Sequence, residues 1–265
     1  MEIIKKNYNI EIDSNAAITS LVSSGKQFVK IRVPLLTFQL RNGVSVINNN
    51  SDNAKIISIK RCDDNINIEC KFDDIIFYVS LVLRDRIEAT FSFENNSGYY
   101  VEWVELCPVA VPNDLVANGG SGRIVIDTNE GMLVEDINLK ENFYPYKFRA
   151  MDYPSEGLYA MFPAVVQSQF LSYYDQTAGI YIAAEDNERT IKGIDFGPLD
   201  DAVKLQFKFY PGIEKDVTNF DLGYNLVIDF FKFICKFFIF LNKFFFHYIN
   251  IVAICSAVAI PVSHY

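Results

Sequence analysis

The chain has 265 residues, half of them hydrophobic, enough to bury a sizeable core as one large domain or two small ones. Its formal charge of −9 argues against a nucleic-acid partner, because neutralising phosphates requires a basic face. Both histidines, His247 and His264, lie in the C-terminal tail, which removes Ser-His-Asp and Cys-His nucleophilic chemistry and histidine-based metal centres from residues 1–230.

The N-terminal MEIIKKNYNIEI has no uninterrupted apolar stretch, so no secretory signal is read there. Alternation with a period of two then dominates the first 210 residues. Asn65 to Phe72 and Arg86 to Glu94 alternate without a fault, and Tyr100 to Cys107 and Lys204 to Phe209 do so more loosely. Each such strand puts one face on a core and the other in water, the habit of antiparallel sheets. Turns are expected at CDDN (62–65), FDD (72–74), ENNSG (94–98), DQTAG (175–179) and EDNER (185–189). No helical stripe appears before residue 225 and no βαβ rhythm, so the fold class is all-β, a large antiparallel β-sandwich. Residues 111–160 read as long connections between its two sheets.

Five cysteines, at 62, 70, 107, 235 and 255, contain no C-x-x-C pair. The turn at 63–65 places Cys62 beside it and Cys70 several pairs away, so reduced thiols are expected. The stretch NGGSG (118–122) precedes a strand rather than a helix, which argues against a phosphate loop. The acids Asp175, Glu185, Asp186, Glu188, Asp195, Asp200 and Asp201 fall mostly at turns, where solvated charge is the ordinary explanation; no pair is assigned as catalytic. Strict alternation in YVEWVEL turns Trp103 to the core. The alternative is a sugar-stacking platform with the tyrosines at 144, 146, 153, 159, 173 and 174.

From about Leu226 the texture changes to LVIDFFKFICKFFIFLNKFFFHYINIVAICSAVAIPVSHY. Asp229, Lys232, Lys236, Lys243, His247 and Asn250 fall within a narrow arc at 100° per residue, which predicts an apolar C-terminal helix with one polar stripe. The division is therefore a sandwich over 1–226 and an apolar tail over 227–265. Residues 232–260 are either a membrane element or the product of AT-rich DNA read out of frame, since Phe244 to Ile260 reaches only about 25 Å as a helix. The location follows the tail: membrane-associated if it is an anchor, otherwise cytoplasmic.

Three stretches in order, GGSGRIVIDTNEGMLVED (119–136), YPS (153–155) and QFLSYYDQTAGIYIAAEDNERTIKGIDF (169–196), resemble the N-terminal β-super-sandwich of large glycosidase-like proteins related to the endo-α-N-acetylgalactosaminidases. DLGYNLVIDFF (221–231) is similar to the last sandwich strand of such proteins, where a (β/α)₈ barrel with the catalytic carboxylates follows; this chain departs from that pattern at about Lys232. The resemblance implies a galactose-mutarotase-like fold and a non-catalytic, carbohydrate-associated domain without its barrel. Its partners would be a carbohydrate or the missing barrel domain, with no cofactor and no metal. The positions it marks for carbohydrate contact are Tyr153, Gln169, Tyr174, Asp175, Asp186 and Lys192. The alternative is a membrane-anchored structural or adhesion module.

Overall fold

The computed structural model describes residues 1–113, 115, 122–128, 131–135, 158–212 and 217–231. The chain opens with β1 (Glu2–Ile4), β2 (Asn9–Ile12), β3 (Ala17–Ser23), β4 (Lys26–Gln27) and β5 (Val33–Pro34), which form a small sheet of their own. Then come β6 (Leu36–Asn42), β7 (Ser45–Asn50), β8 (Lys55–Cys62), β9 (Asn65–Phe72), β10 (Ile75–Leu83), β11 (Ile87–Asn95), β12 (Tyr100–Leu106) and β13 (Val109–Pro112). The rest are β14 (Arg123–Thr128), β15 (Met132–Val134), β16 (Leu158–Phe162), β17 (Val166–Tyr174), β18 (Gly179–Ala184), β19 (Lys192–Leu199), β20 (Ala202–Phe209), β21 (Asn219–Asp221) and β22 (Leu226–Phe231).

Two large antiparallel sheets face each other. One runs β15-β14-β17-β18-β22-β11-β10-β9-β8, with β21 beside β11; the other runs β16-β19-β20-β12-β6-β7, with β13 beside β20. In β10, Ile75, Phe77, Val79, Leu81 and Leu83 are buried, while the residues between them are half-buried. That is the two-fold alternation read from the sequence. Phe77 stacks on Phe38 of the facing sheet with centroids 4.6 Å apart, and Phe91 reaches Phe209 at 5.9 Å. Such contacts are worth about 0.5–1.5 kcal/mol each beyond the area they bury. Tyr8 and Phe28 of the small sheet both meet Phe230 at 5.4 Å, so all three sheets share one core.

The hairpin turns fall where the sequence placed them. Asp63 and Asp73 each open a two-residue turn at φ 52°, a left-handed conformation that aspartate tolerates. Cys62 pairs with Asn65 across the first turn while Cys70 lies opposite Ile56, and the described cysteines are free thiols.

Two expectations are corrected. Pairing of β12 with β6 shifts register between Val101 and Trp103, a β-bulge. Without it, Val101, Trp103 and Glu105 would share the core face. The extra residue reverses the phase, so Val101, Val104 and Leu106 enter the core and Trp103 and Glu105 turn to the sheet's other side. The second concerns residues 227–231. They are not the start of the tail: β22 lies between β18 and β11, with Ile228 opposite both Ile182 and Ile87. A strand buried on both faces reads as a continuous apolar run, which sequence periodicity cannot distinguish from a helix. The expected apolar helix, with Lys232, Lys236, Lys243, His247 and Asn250, lies outside the described residues. Among the described residues no helix is long and apolar enough to cross a membrane.

At Gly179 an added Cβ would stand 2.1 Å from Phe231 Cζ and 2.7 Å from Tyr174 Cβ. Gly179→Ala is therefore expected to cost about 1–3 kcal/mol by overpacking. Gly98→Ala, whose Cβ would have its nearest neighbour 3.8 Å away, should stay within about 0.5 kcal/mol of the parent. Urea unfolding of the two variants separates these outcomes.

Candidate functional site

Three of the marked residues meet where the chain crosses from β18 in one large sheet to β19 in the other. Gln169, on β17, points inward with Leu171 and Tyr173, and Lys192 points inward at the start of β19. Lys192 has no exposed surface. Its Nζ donates to Gln169 Oε1 at 2.6 Å, Asp186 Oδ2 at 2.7 Å and the Thr190 carbonyl at 2.6 Å, which uses all three of its donors. The ammonium also stands 4.6 Å from the Phe162 ring centroid and 5.3 Å from that of Tyr224.

Asp186 completes the arrangement. Its Oδ1 accepts the backbone N–H groups of Glu188 and Arg189; its Oδ2 accepts the backbone N–H and hydroxyl of Thr190 as well as Lys192. Gln169 Nε2 donates to the Asp186 carbonyl at 2.8 Å, and the Thr190 hydroxyl lies 3.0 Å from that of Tyr224. Burial pushes the Asp186 carboxyl up, but the hydrogen bonds from Lys192 and Thr190 outweigh it and hold the group below its ordinary 3.8. Burial, with a further push from the Asp186 charge and against the hydrogen bond with Thr190, drives the Tyr224 hydroxyl up to about 12. The residue types that suggested a sugar contact thus form a saturated, buried brace for residues 187–191, and a sugar would have to displace an existing partner to reach Lys192 or Asp186.

The other marked positions do not join them. Tyr174 ends β17 and Asp175 follows it, five and six residues beyond Gln169 and so about 17–20 Å away along the strand. Tyr174 is buried beside Phe231. Asp175 Oδ1 accepts from Thr177 N, Thr177 Oγ1 and Ala178 N, tying the β17–β18 turn. Tyr153, Tyr144 and Tyr146 lie outside the described residues. Asp175, Asp186 and Asp195 are all buried, so solvated charge does not describe them.

A second cluster, which the sequence reading did not assemble, occupies the side of the seven-stranded sheet turned away from the core. Glu105 lies opposite Lys208, Lys208 opposite Gly193, and Gln206 opposite Asp195. Trp103 joins them through the β12 bulge. All five side chains are at least nine-tenths buried. Gln206 Nε2 donates to Asp195 Oδ2 at 2.8 Å. Lys204 Nζ stands 2.5 Å from Glu105 Oε1, a charge contact off the hydrogen-bond direction. Lys208 Nζ sits 4.7 Å above the Trp103 ring; burial lowers its proton affinity, and Asp195 and Glu105 oppose that shift. Trp103 Nε1 has no hydrogen-bond acceptor among the described residues. Beside this, Arg41 grips Glu102 through two bonds of 3.0 and 2.9 Å, with Gln39 on the same carboxylate. The legible signal was Lys204, Gln206 and Lys208 alternating with Leu205 and Phe207; the hidden one was the bulge. Among the described residues no group of three or more His, Cys, Asp or Glu side chains could hold a metal ion.

No protein-family model matches the chain, and no curated protein matches it in sequence. Solved structures match its fold. The fold is similar to that of a galactose mutarotase related enzyme from Lactobacillus acidophilus, which superposes with a TM-score of 0.51 at 12% identity, over 88% of this chain and 97% of that one. It is also similar in fold to part of the α-N-acetylgalactosaminidase NagBb from Bifidobacterium bifidum. The GalNAc complex of that protein matches with a TM-score of 0.57 at 11% identity, and the Gal-NHAc-DNJ complex with 0.57 at 12%. Each match covers 92% of this chain but only 38% and 39% of the neighbour, so the chain spans about two fifths of that protein. At such identities the likeness is one of fold.

The brace can be tested by stability. Lys192→Met leaves Asp186 as an uncompensated buried charge and is expected to cost about 3–5 kcal/mol at pH 7. Adding Asp186→Asn should recover part of that loss; a double variant no more stable than the single one would contradict the pairing. The folded Asp186 carboxyl lies below its unfolded value, so its contribution is fully present above 3.8 and is lost as pH falls below it. Thermal melts between pH 6 and pH 3 should show that loss in the parent and a smaller one in Asp186→Asn.

Proposed function

We propose that this chain is a non-catalytic, carbohydrate-associated β-domain of a glycoside-hydrolase-like protein, one that works beside a catalytic (β/α)₈ barrel. The observation that carries the reading is the fold match over 92% of the chain to about two fifths of an α-N-acetylgalactosaminidase. What that neighbour's name says it acts on supplies the sugar class, an N-acetylated galactose unit. Gln169, Asp186 and Lys192 enter the reading as the brace that shapes loop 187–191.

The contact candidate in this proposal is the Trp103 cluster, which is as buried as the brace, so a sugar would reach it only by displacing what covers it; what sets it apart is the unmet donor on Trp103. An indole plane beside carboxylate, amide and ammonium groups is the chemistry that takes a pyranose: the ring receives the sugar's C–H face and the polar groups its hydroxyls. Trp103 Nε1 contributes a donor whose acceptor would be a sugar oxygen.

Trp103 is the chain's one tryptophan, so its emission reports on this face without labelling. Titrating the full chain with GalNAc to about 10 mM, a concentration that reveals even millimolar binding, should give a saturable change in that emission. Lys208→Met should weaken it at least about tenfold, equivalent to one lost charge-assisted hydrogen bond. A flat titration of the folded chain would remove the carbohydrate contact from the proposal.

A further inference from the structure

The outer side of the ten-stranded sheet, turned away from the seven-stranded one, changes character halfway across. Over β17, β18 and β22 it carries Phe170, Tyr174, Tyr181, Ala183 and Phe231, none more than 9% exposed. Over β8–β11 it is polar and open, and there it holds a cleft of about 400 Å³ that reaches β21. Strand register sets the floor of this cleft. Asn67 lies opposite Ser80, and Ser80 opposite Thr90. In the next row Ser58 lies opposite Glu69, Glu69 opposite Tyr78, Tyr78 opposite Ser92 and Ser92 opposite Asp221. That row crosses four interstrand steps of about 4.8 Å, or about 19 Å in all. Lys60 on β8 and Asp221 on β21 stand at its two ends. The Tyr78 hydroxyl reaches Glu94 at 3.4 Å, one pair further along, so its ring leans along the strands and leaves the Asn67–Ser80–Thr90 row uncovered.

We infer that this cleft binds a neutral oligosaccharide. A strand face that meets only water is best filled by β-branched and aromatic residues, and asparagine and serine in mid-strand do not supply that fit. Nor are their polar groups spent inside the protein: among the described residues the side chains of Ser58, Asn67, Ser80, Thr90 and Ser92 form no hydrogen bond. Lys192, by contrast, has committed all three of its donors. The lining decides the ligand class. Hydroxyls and an amide both give and accept hydrogen bonds, as the hydroxyls of a sugar do, and the Tyr78 ring offers a flat face to a pyranose. One ammonium, Lys60, against the carboxylates of Glu69 and Asp221 leaves the lining net negative, which disfavours an anion. A metal ion lacks its ligands, since among the described residues no group of three or more acids, cysteines or histidines could hold one. A trough about 19 Å long takes several sugar rings in a row, so affinity grows with chain length. The inference stands apart from the proposed function, because this cleft lies on the ten-stranded sheet and Trp103 on the seven-stranded one.

The probe is an array of immobilised neutral glycans, each paired with its sialylated form and read with the labelled full chain. Neutral oligosaccharides should bind at least about tenfold more tightly than their sialylated partners and than single sugars. Ser80→Arg, which fills the middle of the trough, and Tyr78→Ala, which removes its ring, should each weaken the best binder at least about tenfold in solution titration. Both positions are half-buried on an outer face, so urea unfolding should match the parent; if one variant fails to fold, the other decides. Neither should alter the response of Trp103 emission to GalNAc, so the two sites succeed or fail separately. Absence of binding to every neutral oligosaccharide overturns the inference, as does equal binding of the sialylated forms. Binding that both variants retain overturns it as well, because the glycan then sits elsewhere on the chain.

Discussion

A lysine with no exposed surface is stable only where every one of its protons is received, and the end of this sandwich is organised to receive them. Lys192 belongs to one large sheet and Gln169 to the other, while Asp186 lies in the loop that carries the chain between them. The three acceptors and two flanking rings therefore join the two sheets, as does the Tyr173 hydroxyl, which donates to the Pro112 carbonyl at 2.6 Å, across an interface that is otherwise largely apolar. Apolar packing of Phe38, Phe77, Phe91 and Phe209 supplies most of the cohesion but little orientation. The brace adds direction, because a charge-assisted network tolerates only one arrangement of its members. Loop 187–191 is held by four hydrogen bonds to a single carboxylate, and Arg189 accepts a left-handed φ of 56° within it.

Much of this was legible beforehand. The faultless alternation of 65–72 and 86–94 became neighbouring strands β9 and β11 on either side of β10, and the aspartate turns at 63 and 73 fell at the hairpins. The resemblance named the super-sandwich from residues 119–196 and 221–231, and the fold matches agree at identities of 11–12%. What sequence could not show has physical reasons. One unpaired residue in β12 reversed the facing of Trp103 and Glu105, and a bulge leaves no mark on composition. By periodicity alone β22 was drawn into the apolar tail, because most of its residues are buried whichever face they take, whereas the resemblance at 221–231 had placed a sandwich strand there. Lys192 and Asp186 were visible as a pair of residue types, but only the fold reveals that burial has already committed their bonds.

The molecule thus presents three kinds of surface from one β-architecture: a closed apolar interior, an aromatic outer half-sheet, and a titratable face around Trp103. The last two are each built from alternate residues of strands whose other residues form the interior. Packing on either face is tight: at Gly179 an added Cβ would press on Phe231 and Tyr174 of the outer face.

The position of β22 bears on how such a chain is made. Ile228 lies between Ile182 and Ile87 in the middle of the ten-stranded sheet, so its two neighbours are synthesised long before it. While a ribosome is still translating residues 184–225, β11 and β18 hold a gap between them with unpaired edges and apolar faces. The nascent chain must keep those edges apart from each other and from other chains until the missing strand emerges. Pairing at such sequence separation is slow to form, and the interval before it is when chaperones would find the most to hold.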